Sequence, residues 1–249
     1  MKVMETIKAI IVDDEELARS IIREYLADHP EIQIISECSN GFEAVKSITD
    51  LKPDLLFLDV QMPKLNGFEV LELIETDLTV IFVTAYEQYA VKAFEVHAVD
   101  YLLKPFSRER FDEALSRARA RLSRKELVPS LDVINAARPK GETVERVLVR
   151  DGSRVFVIPT EKIDYIEAQD DYVSIKSEGK SHLKKQRLAD LLSILDPKKF
   201  VRIHRSIILN VDRLSRLELY AKDSRMAILK DGTQLQVSRS GYDALKELL

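Results

Sequence analysis

Residues 55–71 read LLFLDVQMPKLNGFEVL. The apolar run Leu55–Leu58 is unbroken and ends on Asp59. A polar stretch with Pro63 and Gly67 follows, and then Phe68, Leu71, Leu73 and Ile74 recur at helical spacing. A short continuous apolar run is a strand buried on both faces, as in a parallel sheet covered by helices. The alternation extends both ways. Ile7–Val12, Gln33–Glu37, Val80–Val83 and Val99–Leu103 are further strand candidates. Leu17, Ile21, Ile22, Tyr25 and Leu26 mark a helix after the first of them, and a last helix runs from about Ser107 to Lys125. Five such units predict a doubly wound α/β domain of flavodoxin-like type. Ligands of such folds gather at the carboxyl ends of the strands.

Those ends carry polar groups. Asp13 and Asp14 follow the first strand and Asp59 the third. The two strands are expected side by side, so the three carboxylates meet and need a cation. Hard oxygen ligands at a partly open site suit Mg²⁺. Thr84 ends the fourth strand and Lys104 the fifth, a hydroxyl and an ammonium suited to phosphoryl oxygens. Phosphoryl transfer needs mainly positioning and charge neutralisation, and this set provides both. Taken singly, Asp14 reads as a helix cap, Thr84 as a turn residue and Lys104 as a solvated charge. Their coincidence at strand ends carries the inference.

The pattern then breaks. Residues 126–142, with Pro129, Pro139 and Gly141, read as a linker between a domain at 1–125 and a second at 143–249. The second half alternates apolar and polar residues between turns. Val147 and Val149, then Asp151-Gly152, then Val155 and Val157 form a hairpin pattern. Ile163–Glu167, Tyr172–Lys176, Ser181–Lys185, Ser206–Asn210, Leu217–Ala221, Arg225–Leu229 and Thr233–Val237 are further strand candidates, with helices at about Arg187–Leu195 and Arg239–Leu249. Charge divides along the same line. Residues 1–126 hold 16 Lys and Arg against 24 Asp and Glu, a balance of −8; residues 127–249 hold 22 against 18, a balance of +4. A basic domain suits a polyanionic partner. The single cysteine, Cys38, excludes an internal disulfide framework. No apolar run is long enough for a membrane span or a signal peptide, so the expected location is the cytoplasm.

IVDDEE, LLFLDVQMPKLNGFEVL, FVTAY and DYLLKPF together resemble the receiver domain of bacterial response regulators. The resemblance implies Asp59 as phosphoacceptor, Asp13 and Asp14 as the acidic pair for Mg²⁺, and the Gln61 carbonyl as a further metal ligand. It implies Thr84 and Tyr101 as the switch pair, Lys104 as the phosphate-contacting lysine, and a cis Lys104–Pro105 bond. It also implies a sensor histidine kinase as donor, and homodimerisation through the face formed by the helix at about Tyr86–Val96 and the fifth strand. Such a protein is a switch and not an enzyme.

FVRIHRSIILNVDRL and LKDGTQLQVSRSGYDAL, with IEAQDDYVSIKS and KSHLKKQRLADLLSIL, resemble the LytTR DNA-binding domain of the LytR/AlgR class. The resemblance implies about ten strands whose loops enter successive major grooves of double-stranded DNA, at paired repeats. The family's base-reading regions match the loop around Gln169–Asp171, the His204-Arg205-Ser206 stretch and Arg239, with His204 itself expected to be structural or to contact phosphate; Lys184, Lys185 and Arg202 are further basic candidates. Two separated helices do not make a helix-turn-helix. An enzymatic output would need a catalytic constellation that 143–249 lacks. An RNA- or protein-binding β module is the alternative, though the aromatics are not interleaved with the basic residues as an RNA stacking platform would require.

Overall fold

A computed structural model of the chain describes residues 6–74, 78–89, 93, 98–124, 143–152, 154–221 and 224–249. The chain divides into two compact units, Met1–Arg138 and Pro139–Leu249. Among the described residues no helix is long and apolar enough to cross a membrane.

The first unit runs β1 (Ile7–Val12), α1 (Glu16–Leu26), β2 (Ile32–Cys38), α2 (Gly41–Leu51), β3 (Leu55–Leu58), α3 (Gly67–Leu73), β4 (Thr79–Thr84), β5 (Asp100–Leu103) and α4 (Arg108–Arg124). All five strands are parallel, in the order β2-β1-β3-β4-β5. β3 and β4 are buried at every position, as unbroken apolar runs require in a sheet covered on both faces. One core packs Ile11, Phe57, Ile81 and Leu102 of the sheet against Phe111 and Leu115 of α4. Leu17 departs from the expected apolar face of α1. It lies 73% exposed, while Ala18, Ile22 and Leu26 take the buried side. The helix expected at about Tyr86–Val96 lies mostly outside the described residues; Glu87–Tyr89 form a 3-10 turn. The expected linker, 126–142, also lies outside them.

The second unit contains β6 (Arg146–Asp151), β7 (Arg154–Pro159), β8 (Ile163–Gln169), β9 (Tyr172–Ser177), β10 (Lys180–Lys184), α5 (Leu188–Ile194), β11 (Phe200–His204), β12 (Ile207–Asn210), β13 (Leu214–Ala221), β14 (Ser224–Leu229), β15 (Gln234–Val237) and α6 (Arg239–Leu248). β6 and β7 pair as a hairpin; β10-β9-β8-β12-β11 form an antiparallel sheet and β13-β14-β15 another. Gly152 and Gly232 adopt positive φ, 58° and 89°, in the two Asp-Gly turns. One face of the larger sheet packs on α5 and the hairpin. The other packs on the three-stranded sheet and α6. The strand Phe200–His204 was not among the sequence candidates. Its exposed Arg202 and its basic neighbours Lys198, Lys199 and Arg205 mask an apolar set, Phe200, Val201 and Ile203, that is buried.

Candidate functional site

β1 and β3 lie side by side with Val12 opposite Leu58, and Asp59 N–H donates to the Val12 carbonyl at 2.9 Å. Asp13 and Asp59 therefore leave the sheet at one point. With Asp14, their carboxylates each place an oxygen within 4.8 Å of the others. Asp13 and Asp59 are buried and Asp14 is exposed. The loop after Asp59 is pinned by Gly67, whose N–H donates to the Val60 carbonyl at 2.9 Å. A Cβ there would stand 2.3 Å from the Asp59 carbonyl oxygen, so only glycine allows this approach. Asn66 and Glu69 close a reciprocal capping box and start α3 directly behind the site.

Lys104 enters from the end of β5, where its N–H donates to the Thr84 carbonyl at 2.8 Å. The Lys104–Pro105 bond is cis. The ammonium lies 2.7 Å from Asp13 Oδ2, 3.2 Å from Glu15 Oε2 and 3.4 Å from Asp59 Oδ2. Burial alone would lower the lysine's pKa, but the hydrogen bond to Asp13 and the charge of Asp59 outweigh it and raise it. Burial pushes the Asp13 carboxyl up, against the pull of Lys104. Thr84 Oγ1 is buried without a hydrogen-bond partner, whereas Asp13 Oδ2 has the Lys104 ammonium. A buried hydroxyl of this kind is costly unless a partner arrives. The donor set is carboxylate oxygen, beside a hydroxyl with spare capacity, and it fits a hard divalent cation with a phosphoryl oxygen.

Gln61 N–H donates to Asp59 Oδ1 at 3.3 Å, and its side-chain amide donates to Tyr89 Oη at 3.2 Å. The Tyr101 hydroxyl donates to the Tyr86 carbonyl, away from Thr84. Burial, with Asp59, Tyr89 and Glu87 nearby, pushes the Tyr101 phenol up to about 12.

In the second unit the antiparallel order brings the C-termini of β10, β8 and β11 and the N-termini of β9 and β12 to one end of a single sheet. Gln169 faces Tyr172 across the β8–β9 turn, where Asp170 takes φ 51°. Ala168 N–H donates to the Ser206 carbonyl at 2.8 Å, joining that turn to the His204–Ser206 turn. Ser238 N–H and Oγ donate to the Ile203 carbonyl at 2.8 and 3.0 Å, and Ser238 Oγ in turn accepts from Gly241 N–H at 3.1 Å. A Cβ on Gly241 would lie 2.0 Å from the Ile203 oxygen. The first turn of α6 is thus seated on β11, and Arg239 opens that helix beside the other turns. Gln169, Asp171, Lys185, Arg205 and Arg239 are all exposed at this end.

Residues 9–116 match the response regulator receiver domain, and residues 153–249 match the LytTr DNA-binding domain. The chain belongs to the LytTR class of response regulators. The transcriptional regulatory protein BtsR of Escherichia coli K12 is 32% identical over 247 residues, covering 98% of this chain and 99% of that protein. The sensory transduction protein LytT of Bacillus subtilis is 32% identical over 246 residues, with 98% and 99% covered. An uncharacterised response regulatory protein of Shewanella oneidensis is 34% identical over 246 residues, with 97% and 98% covered. LytTR response regulators are DNA-binding transcription regulators and not enzymes, and the class favours DNA over the RNA- or protein-binding alternative.

The structure of this LytTR regulator brings Asp13, Asp14, Asp59, Thr84 and Lys104 to one rim of its receiver sheet. Tyr101 lies on β5, beside β4, with its hydroxyl turned outward. Among the basic candidates two side chains are engaged by backbone carbonyls. Lys184 Nζ donates to the Leu148 carbonyl of β6 at 2.7 Å. Arg202 Nε donates to the His204 carbonyl at 3.3 Å and its Nη2 to the Arg205 carbonyl, so it shapes the turn that presents Arg205. His204 Nδ1 lies 2.9 Å from Ser206 Oγ within that turn. Sequence reasoning missed Glu15, which touches Lys104 across 89 residues. In the sequence it is one of four successive acids, and only the fold separates it from its neighbours.

Proposed function

We propose that Asp59 accepts a phosphoryl group from a phosphohistidine on a sensor histidine kinase, and that the phosphorylated protein binds promoter DNA as a homodimer. The observation that carries this is the rim itself: three carboxylates within 4.8 Å, an ammonium on two of them, and a buried threonine hydroxyl without a partner. Asp13, Asp14, Asp59 and the Gln61 carbonyl would hold Mg²⁺. The ion supplies charge neutralisation for the phosphoryl oxygens. An Asp59 carboxylate oxygen bonds to phosphorus as the phosphorus–nitrogen bond breaks, and the leaving imidazole takes up a proton. Lys104 then holds one phosphoryl oxygen, and Thr84 Oγ1 turns to donate to another. The group adds roughly two negative charges and three strong acceptors.

Movement of Thr84 leaves space for Tyr101, which gives up the Tyr86 carbonyl and turns inward. The face around β5 changes and pairs with a second copy. Shifting a two-state balance from about 1:99 to 99:1 takes about 5.5 kcal/mol, so DNA and phosphate share the work. The dimer presents two basic sheet ends to paired repeats. Arg239, Arg205 and Gln169 read bases with Asp171 beside them, while Lys185 meets phosphate. A kinase-fed switch acting on promoters works in the cytoplasm. Velocity sedimentation of the acyl-phosphate-treated protein tests the coupling. The phosphorylated wild type should sediment as a dimer where Asp59→Ala stays monomeric; identical sedimentation across a wide concentration range would refute dimer switching.

A further inference from the structure

We propose that Glu15 is a positioning residue that draws Lys104 away from the phosphoryl group, and so limits how firmly the receiver holds its active state. The inference rests on Asp59 being the phosphoacceptor. Glu15 stands at the N-cap of α1, with φ −88° and ψ 113°, where short polar side chains usually cap the helix. Its side chain makes no cap hydrogen bond. The carboxylate reaches the end of β5 instead, 3.2 Å from Lys104 Nζ. Its backbone is fixed for that reach, because Glu15 N–H donates to Asp13 Oδ1 at 3.0 Å. Glu15 is not among the three acids that cluster for a cation, Asp13, Asp14 and Asp59.

An ammonium has three N–H donors, and Lys104 faces three carboxylates, at 2.7, 3.2 and 3.4 Å. A phosphoryl group on Asp59 takes over the Asp59 contact, and a cation shares Asp13. Glu15 has neither engagement and keeps competing for the ammonium. It is 67% exposed, so the competition is modest. An exposed ion pair corresponds to about a two- to fivefold change in an equilibrium.

Titration of the full chain with beryllofluoride, a phosphoryl mimic, at saturating Mg²⁺ tests this. Calorimetry suits it, since the chain has no tryptophan to report binding. Glu15→Gln should tighten binding by that factor. Glu15→Asp keeps the charge but shortens the reach, and should behave like Glu15→Gln. In a Lys104→Met background the Glu15→Gln change should have no effect. Wild-type affinity in Glu15→Asp, or equal tightening with and without Lys104, would mean a general field effect and overturn the proposal. Unchanged affinity in Glu15→Gln would overturn it as well. A wild type that ignores beryllofluoride, or an Asp59→Asn protein that binds it equally, would instead bring down the phosphoacceptor reading beneath it.

Discussion

Both functional ends of this molecule are made where strands stop, but they handle charge in opposite ways. At the rim of the parallel sheet the charges face one another: Asp13 and Asp59 are buried, and Lys104 is spent on them. At the end of the antiparallel sheet the charges face outward, and backbone hydrogen bonds position them. The difference suits the ligands proposed for each end. A cation and a phosphoryl group are small, so their site must be assembled in advance and loses everything with one member. Duplex DNA is a long polyanion, so its contacts are spread out and each is worth a fraction.

The contrast is sharpest at Asp59. Asp59→Asn should abolish phosphoryl uptake from an acyl-phosphate donor, read on a phosphate-affinity gel, with no residual band above background. The two close-approach glycines come next. Gly67→Ala and Gly241→Ala each drive a Cβ into a backbone carbonyl, at 2.3 and 2.0 Å, and overpacking of this kind costs about 1–3 kcal/mol or more. Gly67→Ala should impair phosphoryl uptake and Gly241→Ala DNA binding. If each damaged both activities equally, the division of labour would be wrong.

Within the DNA end, Arg239→Ala should weaken specific binding by about 1–3 kcal/mol and blur one base preference. Lys185→Ala should lower affinity for all sequences alike and reduce the salt slope by about 1. A wild-type salt slope would remove Lys185 from the phosphate contacts. The smallest effect concerns pH. Burial raises the Asp13 pKa, so the folded chain keeps that proton to higher pH than the unfolded chain does. The ionised carboxylate therefore costs stability above its raised folded value. Asp13→Asn should melt higher at neutral pH without Mg²⁺, and the gain should vanish as pH falls through that value towards 3.8. A constant gain at every pH would point to packing instead.

The receiver was legible in the sequence because β3 and β4 are continuous buried runs and because Asp13, Asp59, Thr84 and Lys104 stand at strand ends. The β domain was legible wherever alternation or an Asp-Gly turn marked the chain. It was obscured at Phe200–His204, where basic residues needed outside interrupt the apolar set needed inside. Spacing cannot show direction either. Arg202 and Arg205 look alike in sequence, yet one clamps the turn and the other leaves it. Nor can spacing place Glu15 on Lys104, because that contact depends on where β5 ends beside α1.

The coupling between the two ends is tested most directly by the affinity of the full chain for a duplex selected from a random pool. It is measured with and without an acyl-phosphate donor and Mg²⁺, in wild type and in Asp59→Asn. The account predicts tighter binding on phosphorylation of the wild type and no response in Asp59→Asn. Equal affinities with and without the donor in wild type, or the same gain in Asp59→Asn, would contradict it.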